Sequence, residues 1–361
     1  MRVLLVGSYY APVVGGIETH MQQIAEGLLA QHIDVRIICL NTSPNGTERF
    51  AEEETLGGIK VWRIVNGLFI KRAIQDYEPN VAHFHGFSRP LLLRGMMALK
   101  NVPWVITPHS GIHGRRIDLH RWRRISKDLF DKTGGRILVK RAKKIIALTP
   151  VEANVLLSLG VKSNRITVLP NMVTLDSVPD EYSAQGVERR FLSLARMDPR
   201  KRIGDIIEAM TINPTALGGL DVAGPDAGDE THLRKLASRL PPDKVRFLGP
   251  IKGPAKTILL KNARALVIPS SFEGMSISAL EAIACGTPVI ATPEGSVGIP
   301  EEAVCPFPLG DTRALHKILL SFGRNEVEHY WRKQATSAQW VACTSAQYIS
   351  RLIELYQEVS L

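Results

Sequence analysis

Short apolar runs alternate with longer helical stripes along the first half of the chain. Val3–Val6, Val35–Leu40, Val81–Phe84, Trp104–Ile106 and Ile145–Leu148 are short, rich in β-branched residues and bounded by polar or turn residues. Runs of this kind read as buried strands of a parallel sheet. Between the first two, Ile17–Ala30 carries Ile17, Met21, Ile24, Leu28 and Leu29 on one helical stripe. Strand, helix and strand in that order predict βαβ units and a doubly wound α/β sheet. The rhythm lapses over the polar stretch Asn171–Arg190, then resumes with Phe191–Ala195, Leu220–Ala223, Val245–Leu248, Ala265–Ile268 and Val289–Ala291. The pattern predicts two Rossmann-like domains, 1–175 and 188–339, with a helical segment 340–361 after them. Two such domains are expected to face a central cleft at the carboxyl ends of their strands, where open α/β sheets bind ligands.

Composition narrows the class. A chain of 361 residues is too long for one ordinary domain of about 100–200 residues. Its net charge of +10 favours acidic partners: phosphates, anionic head groups or nucleic acid. The four cysteines, Cys39, Cys285, Cys305 and Cys343, include no C-x-x-C pair. They read as reduced packing residues of a cytosolic protein rather than a zinc site. The first apolar run is too short for a signal peptide, and no run approaches the roughly 18 apolar residues of a membrane span. A cytoplasmic protein is the expectation.

Each candidate motif lies just after a predicted strand. In SSFEGMSISALEAIACG, Ser270–Ser276 is the loop and a helix starts near Ser276–Ser278, stopping at Gly286. The backbone amides of Gly274, Met275 and Ser276 at that helix start suit a phosphate. Glu273 then has to accept hydrogen bonds from neutral hydroxyls, because a second negative charge would repel it. Glu281, one turn into the helix, is placed for the same task, since carboxylates suit vicinal diols. Both glutamates also fit a plain capped helix, whose dipole they complement. In LARMDPRKRIGDIIEAM, Arg196 and Lys201 follow a strand and suit a diphosphate, whereas Arg200 and Arg202 read as a solvated basic loop. Gly15 and Gly16 stand between the first strand and first helix, where a backbone can approach a ligand closely. They do not form G-x-G-x-x-G, so no dinucleotide fingerprint is present. His109 in TPHSG ends a strand, and His83 and His85 compete with it for any catalytic place.

Together these residues resemble the family-4 retaining glycosyltransferases, of the GT-B fold, over nearly the whole chain. The most specific element is Glu273-x7-Glu281; Gly15-Gly16 with Glu18, the TPHSG histidine, Arg196-x4-Lys201, the AGP of Ala223–Pro225 and VRFLGPI at Val245–Ile251 join it. The resemblance implies a nucleoside-diphosphate sugar as donor, with a UDP or GDP base. Glu281 would hold the ribose diol, Arg196 and Lys201 the diphosphate, and Glu273 with the amides of Gly274, Met275 and Ser276 the transferred sugar. Gly249 and Ile251 would flank the base, Gly15 and Gly16 would close on the donor, and His109 would lie near the anomeric carbon. It also implies transfer with retention and no metal or other cofactor, in keeping with the missing D-x-D motif. The final segment, around Trp340 and Tyr356, would cross back onto the first domain. Three positions depart from the family's pattern: Met172 follows Asn171 where glycine is common, Arg202 replaces a glycine, and Ser110 follows the histidine.

The acceptor leaves less trace. Segment 114–144 holds twelve Lys or Arg residues with Ile117, Leu119, Trp122, Ile125, Leu129 and Phe130 interleaved. A basic amphipathic helix with a tryptophan suits an anionic membrane surface, and an ordinary surface helix fits the same pattern. No nucleic-acid module accompanies it. A lipid-linked glycan intermediate or a glycolipid of surface polysaccharide synthesis is the expected acceptor. A sugar-nucleotide epimerase and a non-catalytic nucleotide-sugar-binding subunit remain alternatives. The epimerase would need carboxylates placed for proton abstraction. The subunit would have lost a glutamate or a cation.

Overall fold

The computed structural model describes residues 1–44, 46–65, 68–86, 99, 102–109, 136–174, 189–338 and 343–360, with the side chains of 68–72 and 136–138 left aside. Most of the basic segment, together with Ser110 and Trp340, lies outside the described residues. The chain divides into two units. Unit 1 comprises 1–172 and 344–361; unit 2 comprises 173–343.

Unit 1 runs β1 (Arg2–Gly7), α1 (Gly16–Ala30), β2 (Asp34–Leu40), β3 (Glu53–Leu56), β4 (Ile59–Ile64), α2 (Leu68–Tyr77), β5 (Val81–His85), β6 (Trp104–Thr107), α3 (Arg136–Arg141), β7 (Lys144–Ala147), α4 (Pro150–Ser158) and β8 (Ile166–Val168). Its sheet has the order β3-β4-β2-β1-β5-β6-β7-β8. All five expected strands form, because Val3–Val6 and their counterparts are buried on both faces, as a parallel sheet demands. Leu4, Val6, Ile38, Phe84, Ile106 and Ile145 make the centre of one core. The β3–β4 hairpin is additional, and β3 is antiparallel to its neighbour. Glu53–Leu56 is a polar edge strand without an apolar period, and β4 buries Arg63 among its apolar residues. Both features hide the hairpin from a periodicity argument. Arg63 is held there by the Glu54 carboxylate and the Ala11 carbonyl.

Unit 2 follows the short strand β9 (Met172–Val173) with β10 (Phe191–Leu194), α5 (Ile203–Thr211), β11 (Leu220–Ala223), α6 (Glu230–Ala237), β12 (Val245–Gly249), α7 (Pro254–Asn262), β13 (Ala265–Ile268), α8 (Ile277–Ala284), β14 (Val289–Ala291), β15 (Val304–Pro306), α9 (Thr312–Ser321) and α10 (Asn325–Ser337). The sheet is parallel with the order β12-β11-β10-β13-β14-β15. Met172 is fully buried in β9 and takes no positive φ, so the Asn171-Met172 departure is accommodated by extended backbone.

The chain then passes through β16 (Cys343–Thr344) into α11 (Ser345–Ser360), which belongs to unit 1. α11 lies so close to α1 that a Cβ on Gly27 would come 2.5 Å from the Ile349 side chain. Tyr348 and Tyr356 are fully buried there.

In each sheet the order reverses direction once. In unit 1, β2 and then the β3–β4 hairpin are added on one side of β1, and β5 onward on the other. In unit 2 the same reversal falls between β10 and β13. Ligands of open α/β sheets bind at the carboxyl ends of the strands that flank such a point. Gly15, Gly16 and His109 lie beyond the carboxyl ends of β1 and β6 in unit 1, and Arg196, Lys201 and Glu273 beyond those of β10 and β13 in unit 2.

Candidate functional site

In unit 2 the turn after β10 is shaped by Gly224. A Cβ there would lie 2.0 Å from the Ala195 carbonyl oxygen, and its φ is +145°. Only glycine fits both conditions. The Ala223–Pro225 stretch can therefore press on the turn, where the Met197 amide donates to the Pro225 carbonyl at 2.9 Å. Arg196 is thereby carried at the strand end. Among the described residues its guanidinium has no hydrogen-bond or ion-pair partner.

The next residues form a 3-10 turn, Pro199–Lys201, capped by Asp198, which accepts from the Arg200 amide at 3.0 Å. Burial alone would raise the Asp198 carboxyl, but the hydrogen bonds from Arg200 outweigh it and hold the pKa below its ordinary value. Arg202 adopts a left-handed backbone with φ +51°, the conformation that favours the family's glycine at this place. The conformation costs roughly 1–2 kcal/mol for a residue with a Cβ. Arg202 offsets it by pairing both its Nε and an Nη with Asp205, at 2.8 and 3.0 Å.

The loop after β13 is tied down at several points. The Ser271 amide donates to the Arg200 carbonyl at 2.9 Å, and the Glu273 amide to the Glu294 carbonyl at 3.0 Å. Thr292 Oγ1 donates to the Ser270 carbonyl at 2.7 Å. Glu273 Oε1 then accepts from Lys201 Nζ at 2.5 Å and from Ser270 Oγ at 2.8 Å. Lys201 and Glu273 thus form a direct ion pair 72 residues apart in sequence. The sequence offered only neutral hydroxyls as partners of Glu273 and did not indicate this ion pair, which the strand order creates.

Met275 and Ser276 are buried, and Ser276 caps α8 by accepting from the Ala279 amide at 3.3 Å. The helix ends as its sequence indicates, with Gly286 at φ +68° just past it. Ser278 Oγ donates to the Leu194 carbonyl at 2.8 Å, which fastens α8 to β10. Glu281 is only 2 % exposed. A lone buried carboxylate would cost several kcal/mol, and Lys256 Nζ supplies the counter-charge at 2.6 Å. Lys256 was missed by sequence reasoning. Its only signal was its place in the first turn of α7, just after the Gly249–Ile251 stretch. The Gly249 carbonyl accepts from the Gly224 amide at 2.8 Å, so this stretch is joined to the Arg196 turn.

In unit 1, Gly15 caps α1 in an extended conformation, and a Cβ there would meet the Glu18 carboxylate at 2.3 Å. A Cβ on Gly16 would meet nothing within 4 Å, so the fold itself does not require glycine at 16. His109 follows β6 with φ +50° and is half-buried. Its Nε2 lies 3.2 Å from His85 Nδ1, and its ring stands edge-on to His20 with centroids 5.2 Å apart. His83, one of its sequence competitors, is buried and committed to Tyr356 Oη at 2.6 Å and Thr107 Oγ1 at 2.8 Å. Burial pushes the His20 and His83 pKa values down to about 3. Burial and the neighbouring imidazoles also hold His85 and His109 well below the ordinary range. All four rings are uncharged at neutral pH.

The comparisons agree in direction. The description "Glycosyltransferase Family 4" matches residues 14–177, and "Glycosyl transferases group 1" matches residues 178–306. The chain is 25% identical to a phosphatidyl-myo-inositol mannosyltransferase of Mycobacterium leprae over 353 residues, covering 91% of this chain and 88% of that protein. It is 24% identical to a D-inositol 3-phosphate glycosyltransferase of Pseudarthrobacter chlorophenolicus, covering 82% of this chain and 80% of that one. Anabaena HepE, solved in complex with UDP and glucose, superposes with a TM-score of 0.77 at 16% identity, over 99% of this chain and 100% of that one. The two family models follow each other without a gap from residue 14 to residue 306, and the chain belongs to the family-4, group-1 glycosyltransferases of the GT-B fold.

Proposed function

We propose that this glycosyltransferase moves a hexose from a UDP- or GDP-sugar to a lipid-linked glycan intermediate or a glycolipid, with retention of anomeric configuration and without a metal. The observation that carries the reading is the pairing of Lys201 with Glu273 at the strand ends of unit 2, with the unpartnered Arg196 on the same turn. Arg196 and Lys201 bind the donor diphosphate. Lys201 has three donors, so it can keep Glu273 oriented while it contacts a phosphate oxygen. Glu273 and the amides of Gly274, Met275 and Ser276 receive the sugar, and Glu281, held by Lys256, receives the ribose diol. Gly249 and Ile251 border the base. The cations and the N-terminus of α8 stabilise the charge that develops on the leaving diphosphate, a task that needs donors already in place. His109 and the Gly15-Gly16 turn of unit 1 act on the transferred sugar. The open space around Gly16 supports a close approach of ligand to backbone.

Two lines support the acceptor. The Mycobacterium leprae relative is named for a phosphoinositide lipid. The segment 114–144 is rich in cations and apolar residues. An enzyme on the inner face of the cytoplasmic membrane, bound peripherally, fits both. Among the described residues no helix is long and apolar enough to cross a membrane.

The test is thermal stability of the wild type and Glu281→Ala against UDP, GDP, UDP-sugars and GDP-mannose. A ligand at a hundredfold excess over its Kd stabilises by about 2.7 kcal/mol. Stabilisation by nucleotides of one base, lost in the variant, is the expected result. No stabilisation of the folded protein by any nucleotide would remove the donor site. Binding without sugar transfer to any lipid acceptor would turn the reading to a non-catalytic subunit. The anomeric configuration of the first product, and turnover in excess EDTA, test retention and metal independence.

A further inference from the structure

Four imidazoles and two phenols pack together in unit 1: His20, His83, His85, Tyr348 and Tyr356 are buried, and His109, just past the end of β6, is half-buried and within reach of a ligand. Two ring nitrogens in the cluster, His20 Nδ1 and His85 Nε2, are buried without a hydrogen-bond partner among the described residues. An orphaned acceptor is tolerated better than an orphaned N–H. Both therefore carry the lone pair, and each proton sits on the other nitrogen of its ring. For His85 that nitrogen is Nδ1, which lies 3.2 Å from His109 Nε2. His85 is the donor and His109 Nε2 the acceptor, so the His109 proton is on Nδ1. For His20 the protonated nitrogen is Nε2, which donates to Tyr348 Oη at 3.1 Å. His83 is fixed independently. A fully buried hydroxyl needs an acceptor for its proton, and among the described residues the Tyr356 hydroxyl meets only His83 Nδ1; it therefore donates there, which leaves His83 Nε2–H to donate to Thr107 Oγ1. The His83 ring in turn packs against His85, with centroids 4.1 Å apart and planes tilted by 38°.

We propose that this cluster is a tautomer lock, in which His85 holds His109 with its Nδ1–H free to donate to a sugar oxygen, while Tyr348 and Tyr356 of α11 orient the His20 and His83 rings that pack around that pair. His20, His83, His85, Tyr348 and Tyr356 are positioning residues, and His109 alone meets the substrate. The proposal rests on the reading that His109 faces the transferred sugar. A metal is the competing use of the same side chains. His20, His85 and His109 offer nitrogens within 4.8 Å of one another. A tetrahedral zinc with bonds of about 2.0–2.1 Å sets its ligand nitrogens roughly 3.3 Å apart. The closest pair, His85 Nδ1 and His109 Nε2 at 3.2 Å, is already accounted for as a hydrogen bond, and the zinc arm of the experiment decides between the two uses.

The experiment is long-range proton–nitrogen correlation on the full-length protein with 15N-labelled histidine, which reads the protonated nitrogen of each neutral ring. His85 and His109 are expected as Nδ1–H and His20 as Nε2–H. His85→Phe, which keeps the ring volume and removes the donor, should mix the His109 tautomers. It should lower kcat about tenfold, in keeping with one lost hydrogen bond, with the KM for the donor sugar unchanged. Tyr348→Phe is the milder variant and should mix the His20 tautomers in a protein that melts as the wild type does. His109 found protonated on Nε2 overturns the lock. So does an unchanged His109 spectrum in His85→Phe, or stoichiometric zinc binding that shifts all three rings. A failure of nucleotide binding would instead remove the donor reading, and the tautomer spectrum would still decide the lock.

Discussion

Arg202 shows how one residue can keep a turn that its chemistry disfavours. Its left-handed backbone suits glycine, and its two hydrogen bonds to Asp205 hold it in place. Lys201, one residue earlier, does more. It neutralises Glu273, and under the proposed function it also meets the donor diphosphate. Lys201→Met is expected to lower kcat about a hundredfold, the usual cost of removing one preorganised donor. Unchanged turnover at saturating donor would remove Lys201 from the site. The histidines make a separate prediction at this scale. His20 and His83 have folded pKa values near 3, against 6.5 for the free side chain. Below about pH 6.5 the unfolded chain takes up protons that the folded chain refuses, so stability is full above that pH and falls as the pH drops toward 3. Each ring contributes about 1.4 kcal/mol per pH unit within that window. The melting temperature should therefore fall between about pH 7.5 and 5, with a shallower fall in His20→Gln. An equal fall in both proteins would exclude His20 as a cause. For the same reason, kcat/KM should show no His109 titration near pH 6.5.

Elements position these residues through their ends. Strand β10 stops where Gly224 lets a second strand end press on it, and α8 starts where Ser276 caps it. Gly224→Ala would place a methyl against the Ala195 carbonyl in a backbone region that alanine avoids. A loss of about 2–3 kcal/mol is expected from these two effects. It should appear as a lower urea midpoint for unit 2, with weaker nucleotide binding because the Arg196 turn is displaced. Ser276→Ala removes only a cap and should cost about 1 kcal/mol. If the two variants were equally stable, the close contact at Gly224 would not be what shapes the turn.

At the scale of the whole molecule, the final helix is expected to be required for unit 1 to fold. α11 buries Tyr348, Ile349, Leu352, Leu355, Tyr356 and Val359. At roughly 1.5–3 kcal/mol for each large apolar side chain, that burial rivals the 5–15 kcal/mol or so that holds a typical domain together. Removing residues 345–361 should leave unit 1 without a cooperative transition while unit 2, which is 173–343, keeps its own. Calorimetry separates the outcomes, and two retained transitions would show that unit 1 does not need its last helix.

The sequence by itself determined what depends on neighbouring residues. The runs Val3–Val6 and Ala265–Ile268 are strands because they are short, branched and bounded. Ser276 and Gly286 bracket α8 because capping and left-handed termination are local steric and hydrogen-bonding effects. The family, too, was legible, since Glu273-x7-Glu281 and Arg196-x4-Lys201 are spacings within single loops and helices. Strand β3 escaped notice because a polar edge strand has no period, and β4 because a buried arginine interrupts its apolar face. Only the tertiary structure decided the pairings. Lys201 reaches Glu273 because β10 and β13 are neighbours in the sheet, although β11 and β12 lie between them in sequence. Lys256 reaches Glu281, and Tyr348 reaches His20 across 328 positions, by the same kind of juxtaposition. The physical reason is range. A turn or cap is settled by contacts a few residues apart, whereas a buried charge or imidazole takes whichever partner the strand order and the returning helix bring within about 3 Å.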